Sequence, residues 1–588
     1  MTAPYLMVLS IGPVQDFISA ARRTRDLWFG SHLLSELART AARTLRDDGA
    51  RPIFPAPENR DDLVENSGFP VANVVLAEIP AENKRTPLQL ADRCKQAVQE
   101  RWVKFADEAY AEAKGSVTDS IWREQKWDAN ETFAAWVPLA SADAYASARQ
   151  RLMSLLAARK ATRDFQPAHG HWSVPKSSLD GARESVLALN LSPPQRFRLG
   201  LTKGEQLDVV GVTKRLAGGP QHYPSVARVA ADPWLREAAL KHAEALERLC
   251  DAAKPLVPKL ISGVPEPDNR NPDYNNFRFD GTILFSNRHA RIAEDAGLSR
   301  EQGDTELGRL KAALKALVAS LGKPLPYLAV IAADGDKMGK TLDALLTPED
   351  HRKFSQKLAQ FAQQAGQIVK NCRGVAIYSG GDDVLALLPV DYVLKAAREL
   401  REKFIETVAH SAPPSEKPTL SVGLAIGHFM EPLEDLRAYA IAAEQHAKRP
   451  RQEDADSTDR NGLAVHVHPR SGADFSIREC WRDSGDSLDG RLKRWAGFFD
   501  QAKLPKGLPY EIRALEDTFK GWSDTETLGL ALPAELRRIL GRKETKLDEG
   551  QKAWTEKRFD SVKDINGLTA LARELLVARW LAPHQMSD

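Results

Sequence analysis

Four cysteines in 588 residues leave little room for cysteine chemistry. Cys94, Cys250, Cys372 and Cys480 lie far apart and form no C-x-x-C pair, which argues against a zinc ribbon and against a disulfide framework. Such sparse usage fits a reducing compartment. No apolar run approaches the roughly 18 residues of a membrane span. The opening MTAPYLMVLSIGPVQDF lacks the basic start, long apolar core and small-residue cleavage site of a signal peptide. A cytoplasmic protein without membrane association is therefore expected. Strong net charge is missing too: the formal balance of +2 does not suit a free-standing nucleic-acid binder. Arg22, Arg23 and Arg25, and Lys448 with Arg449 and Arg451, leave a local basic face open beside the plainer reading of solvated surface. Short-period repeats and low-complexity tracts are absent. What remains is ordinary globular material, 43% hydrophobic and 28% charged, long enough for about three to five domains.

Residues 5–11 (YLMVLSI) read as a buried strand. A helical stretch from about 14 to 47 follows, with Leu27, Leu33, Leu34, Leu37 and Ala41 as its apolar stripe. VANVVLAEI at 71–79 reads as extended, 87–165 as mostly helical, and FRLGL at 197–201 and LDVVGV at 207–212 as extended again. Residues 1–220 are thus expected to form one α/β domain with a helical insertion. Residues 221–320 are expected to form a helical linker domain with a polar loop at 265–277. A second α/β domain is expected at 321–472, with a polar loop from Arg451 to Gly462, and a helical C-terminal domain at 473–588. The fold class is α+β.

The window 326–470 is the most explicit. PYLAVIAAD is an apolar strand ending in Asp334. Thr347-Pro348-Glu349-Asp350 starts a helix, with a hydroxyl cap, proline at the first position and acids in the first turn. Strands 375–379 and 384–390 flank Gly380-Gly381-Asp382-Asp383, a tight hairpin turn. A helix with Val393, Ala397, Leu400, Phe404 and Val408 on one face leads to strand 419–426. The order β-α-β-β-α-β is the ferredoxin-like split unit. In it the first two strands run parallel with the third between them, so Asp334 and the glycine turn emerge at one edge of the sheet.

Crowded carboxylates repel, and a cation is the natural reason to gather them. Magnesium takes one or two carboxylates plus waters and phosphates, and a pair of such ions suits in-line phosphoryl chemistry. Asp334, Asp382 and Asp383 are therefore the expected metal ligands and catalytic acids, with Mg2+ or Mn2+. Gly335, Asp336, Gly339, Ser379, Gly380 and Gly381 are expected to border a nucleotide, and Lys448, at a helix end in AEQHAKR, to meet its triphosphate. DGD or GGDD alone is merely a good turn; together, on these strands, they point to metal-dependent nucleotidyl transfer.

At these residues the chain resembles the large subunit of type III CRISPR effector complexes, nearest the Cmr (type III-B) form. The resemblance rests on IGPVQDFISAARRTRDLWFGSHLLSE, GEQLDVVGVTKRL, AADGDKMGK, YSGGDD, LSVGLAIGH and AAEQHAKR, in that order. It implies two ferredoxin-like palm domains facing each other and ATP as substrate. It also implies cyclic oligoadenylate as product, switched on when guide RNA pairs with target RNA, with the smaller Cmr subunits as partners. It places Ser31 and Ser35 toward the nucleotide. Many relatives begin with an HD nuclease domain, whereas here the palm signature starts within the first dozen residues and no His-Asp pair occurs, so HD-type DNA cleavage is not expected. Where relatives often carry a zinc knuckle this chain reads PKSSLDGARESVL, with His169 and His171 nearby, and no structural zinc is expected. Another palm-type cyclase, an adenylyl ligase with a different acceptor, and a catalytically silent scaffold subunit are the alternatives.

Overall fold

The computed structural model describes residues 4–141, 144–162, 170–218, 223–257, 260–263, 272–449, 460–482, 486–522 and 524–583. His169, Arg451 and most of the two polar loops, 265–271 and 451–459, lie outside the described residues.

The first palm is built within residues 5–138. Strand β1 (Tyr5–Gly12) leads to helix α1 (Thr24–Asp47), then β2 (Arg51–Phe54), β3 (Val74–Ile79), helix α2 (Pro87–Ala113) and β4 (Glu131–Pro138). The sheet order is β2-β3-β1-β4 with antiparallel pairing throughout, the ferredoxin-like arrangement. Helix α2 starts on a reciprocal cap: the Gln89 amide donates to Thr86 Oγ1 at 3.3 Å, and the Thr86 amide to Gln89 Oε1 at 3.0 Å. Three expectations need correction. The palm's last strand, β4, lies inside the stretch read as helical; it is an edge strand paired only with β1, so it shows no clean buried–exposed alternation. Conversely, 207–212 is not extended. Asp208 caps a helix, Val209–Leu216, by accepting from the Gly211 amide at 2.7 Å, and burial of nearly every side chain overrides the β-preference of its valines. Likewise 197–201 is not extended: Phe197 and Arg198 end the short helix Pro193–Arg198, and no strand follows at 199–201.

The second palm repeats the topology with β5 (Tyr327–Gly335), helix α3 (Pro348–Asn371), β6 (Val375–Gly380), β7 (Asp383–Leu388), helix α4 (Val393–Thr407) and β8 (Leu420–His428). Helix α3 is capped as its sequence predicts: Thr347 Oγ1 accepts from the Asp350 amide at 3.1 Å. Helix α5 (Leu433–Ala447) then crosses back, and β9 (Gly462–Val467) and β10 (Phe475–Cys480) extend the sheet to the order β10-β9-β8-β5-β7-β6. The helical pattern expected from about 475 therefore begins one strand later, because β10 pairs along β9 and the sheet runs past residue 472.

Both faces of this sheet are covered. Leu328, Val330 and Ala332 of β5 point into a core shared with the first palm and with Leu433, Leu436 and Ala440 of α5. Ala329, Ile331 and Ala333 point into a second core with α3, α4 and the C-terminal helices. The palms are thus joined by continuous apolar packing. The helical linker is pinned to the second palm by Asp232, wholly buried, which accepts from Arg228, Arg236 and Arg373. The C-terminal helices run from Leu488 to Trp580. They close on buried Glu574, which accepts from Arg491 Nε at 3.0 Å and Trp495 Nε1 at 2.7 Å. Among the described residues no helix is long and apolar enough to cross a membrane.

Candidate metal centre

Strand register brings the acids together. In the antiparallel β5–β7 pair Ala333 faces Val384, so the next residues on each strand, Asp334 and Asp383, lie side by side. Gly380 pairs with Asp383, which leaves Gly381 and Asp382 as the two-residue hairpin tip. Gly381 has a φ of +65°, a conformation that favours glycine. One carboxylate oxygen from each of Asp334, Asp382 and Asp383 lies within 4.8 Å of the others. An all-oxygen, carboxylate-only donor set suits a hard dication such as Mg2+ or Mn2+ and does not suit a soft one.

The local charge state follows from crowding. Burial, with the charge of Asp334 added, pushes Asp382 up to about 7. Asp383 is raised as well, by burial first, then by its hydrogen bond with Asp334 and the charge of Asp382. Lys448 answers part of this negative charge. Its ammonium, at the end of α5, donates to Asp334 and forms an ion pair with Glu444 at 2.5 Å. Gly335 is the floor of the cluster: a Cβ there would stand 2.8 Å from Asp382 Oδ2. Above Gly380 and Gly381 the space is open, with nothing within 4 Å of where a Cβ would sit.

The remaining expected site residues divide. Gly339 is exposed in the first turn of the short helix Met338–Asp343. Asp336 is turned inward, 1% exposed, and its carboxylate is taken up by Thr419, Ser421 and Asn461 rather than facing a nucleotide. Ser379 also points away, because its hydroxyl donates to the Ala362 carbonyl of α3 on the far face of the sheet. Ser31 and Ser35 lie on α1, which packs against β6. Ser35 Oγ accepts from the Val71 amide at 3.3 Å, and among the described residues no hydrogen bond joins either serine to the acids. The early arginines are partly consumed by the fold: Arg22 donates to Ser178 O at 3.0 Å and Arg25 to Ala217 O at 2.8 Å. His171 Nε2 lies 2.7 Å from Glu124. Glu444 was not singled out from the sequence, although its place four residues before Lys448 on one helix face was legible.

Comparison with known proteins bears on the two palms. Residues 327–458 match the model of the Cas10/Cmr2 second palm domain, and residues 6–107 that of the Cmr2 N-terminal domain. The chain is similar to the CRISPR system Cmr subunit Cmr2 of Pyrococcus furiosus, 26% identical over 322 residues that cover 49% of this chain and 35% of that protein. It therefore matches about a third of that relative's length. Two solved structures of type III-B Cmr-beta share the fold at 13% identity. The apo form has a TM-score of 0.62 and covers 93% of this chain and 78% of that one. The form bound to cognate target RNA has a TM-score of 0.66, with 98% and 83% covered. The family resemblance drawn from the motifs is borne out in both palms.

Proposed function

We propose, for a chain that carries a Cmr2 N-terminal domain and a Cas10/Cmr2 second palm, that it is the large subunit of a type III-B RNA-guided effector complex. In this reading it polymerises ATP to cyclic oligoadenylate, a second messenger of antiviral defence, when target RNA is bound. Its partners are the other Cmr-type subunits, guide RNA and target RNA, and it works in the cytoplasm.

The observation that carries the catalytic part is the convergence of Asp334, Asp382 and Asp383 at one sheet edge. These residues would hold Mg2+ or Mn2+, which when bound would supply Lewis acidity to the attacking hydroxyl and the phosphates. The chain's own contribution is placement. The β5–β7 register fixes Asp334 beside Asp383, and the Gly381 turn lifts Asp382 over Gly335. The bare backbone of Gly380 and Gly381 lets phosphate groups approach closely. Lys448, held between Asp334 and Glu444, would supply a cation for the triphosphate.

The test uses the chain assembled with guide RNA and partner subunits, given target RNA, Mg2+ or Mn2+ and labelled ATP, with products resolved by mass spectrometry. Adenylate oligomers that require target RNA are expected. Replacing Asp382 and Asp383 together by alanine is expected to lower their formation on the order of a thousandfold or more, as loss of several kcal/mol of transition-state stabilisation requires. Wild type that yields no ATP-derived product with any adenosine acceptor would make the chain a scaffold subunit.

A further inference from the structure

The second acid of the Asp334-Gly335-Asp336 turn accepts several hydrogen bonds, none of them, among the described residues, from the cluster. Asp336 Oδ2 accepts from Thr419 Oγ1 at 2.7 Å and from the Asn461 amide at 3.0 Å, and Ser421 Oγ donates to the carboxylate at 2.9 Å. The Asp336 amide donates to the Thr419 carbonyl at 2.7 Å. One buried side chain thus ties three pieces of backbone: the end of β5, the start of β8 and the entry to β9.

Those ties run to both sides of the metal centre. Asp336 follows Asp334 by two residues, so holding the turn holds the strand end from which Asp334 projects. On the other side, Ser421 Oγ accepts from the Gly462 amide at 3.4 Å. Gly462 lies so close beneath α5 that a Cβ would stand 2.2 Å from the Ala447 carbonyl oxygen. Lys448 is the next residue. The path Asp336–Ser421–Gly462–Ala447, two hydrogen bonds through the Ser421 hydroxyl followed by a close backbone approach, therefore links the strand end that carries Asp334 to the helix end that carries Lys448.

We propose that Asp336 is a positioning residue of the metal and nucleotide site, setting the spacing between the acid cluster and Lys448 without touching metal or substrate. This rests on the metal-dependent reading above. Groups that orient metal ligands from behind typically alter metal affinity or activity by about 10- to 100-fold when removed.

The experiment is a Mn2+ titration of the full chain, read by electron paramagnetic resonance of free Mn2+, for wild type, Asp336→Asn, Thr419→Val and Thr419→Ser. Circular dichroism confirms the fold, and kcat and KM for ATP are measured in the assembled complex. Asp336→Asn is expected to weaken Mn2+ binding at least about tenfold and to lower kcat similarly. Thr419→Val should lose part of the affinity and Thr419→Ser, which keeps the donor, should recover it. Wild type and Asp336→Asn binding Mn2+ alike would overturn the positioning role alone. If Asp336→Asn does not fold, equal Mn2+ affinity in Thr419→Val and Thr419→Ser would overturn it instead. Absence of Mn2+ binding by wild type would overturn the metal reading, and the positioning role with it.

Discussion

The two palms share one topology and treat charge in opposite ways. In the first, β1 ends in Ser10-Ile11-Gly12, without an acid, and β2 and β3 are joined by residues 55–73 rather than by a two-residue turn. Several buried acids of this palm and of the segment that follows it are paired with arginine. Arg215 donates to Asp26 at 2.6–2.9 Å and to Glu205 at 3.0 Å, and Arg101 donates to Glu36 at 3.0 Å. Burial alone would raise Glu205, yet Arg215 holds it below the usual carboxylate range. In the second palm, among the described residues, the one ion pair from a cation to Asp334, Asp382 or Asp383 is that of Lys448, which also pairs with Glu444. Matched charges stabilise a fold; unmatched ones leave a vacancy in the electrostatic balance that a ligand can fill. One scaffold therefore carries paired charges in one copy and an acidic cluster short of counter-charge in the other.

Three measurements sharpen the contrast, beginning with the largest effect. Asp26→Ala strands Arg215 in the interior and is expected to cost about 3–5 kcal/mol in urea denaturation. Asp382→Asn, measured without metal near pH 8, is expected to have the opposite sign, because it removes a carboxylate that the fold disfavours. A loss of stability there as large as at Asp26 would dissolve the distinction between the palms.

The second measurement is thermal unfolding against Mn2+ and pH. The folded value of Asp382, about 7, lies above its unfolded value near 3.9. The stability gained by protonating it is full below about pH 4 and is lost as pH rises through about 7. A dication takes the proton's place, so stabilisation by Mn2+ is expected to grow between about pH 6 and pH 8. It should reach about 2.7 kcal/mol at a hundred times Kd. Replacing Asp382 and Asp383 together by asparagine should abolish it, whereas the first palm should show no such dependence.

The smallest expected effect is at Gly335. A methyl group 2.8 Å from Asp382 Oδ2 must displace that carboxylate. Gly335→Ala is expected to cost roughly 1–3 kcal/mol in overpacking and to weaken Mn2+ binding. Unchanged Mn2+ affinity with reduced stability would mean that the glycine serves packing only.

Much of the second palm was legible because its signals are local. An apolar run ending in Asp334, a capped helix at Thr347 and a glycine turn between short strands each declare themselves within a few residues. The first palm was less so. Strand β4 pairs with β1, some 120 residues away, and an edge strand of irregular burial carries little period-two signal. The valines of 209–212 favour a strand by propensity, and only their burial among distant elements makes them helical. Asp336 and Ser379 were expected beside a nucleotide because they neighbour the clustered acids in sequence; their hydrogen-bond partners, Thr419, Ser421, Asn461 and Ala362, are tertiary.

The amino-acid sequence by itself determined which acids could meet, since a βαββαβ order with antiparallel pairing leaves Asp334 and the Gly381–Asp382 turn no other edge to share. It also determined the resemblance on which the functional proposal stands. Only the tertiary structure decided which neighbouring polar groups face the cluster and which brace it from behind. Side-chain direction at a strand end depends on the hydrogen-bond donors that other strands present there, and those donors are set by packing between elements far apart in the chain.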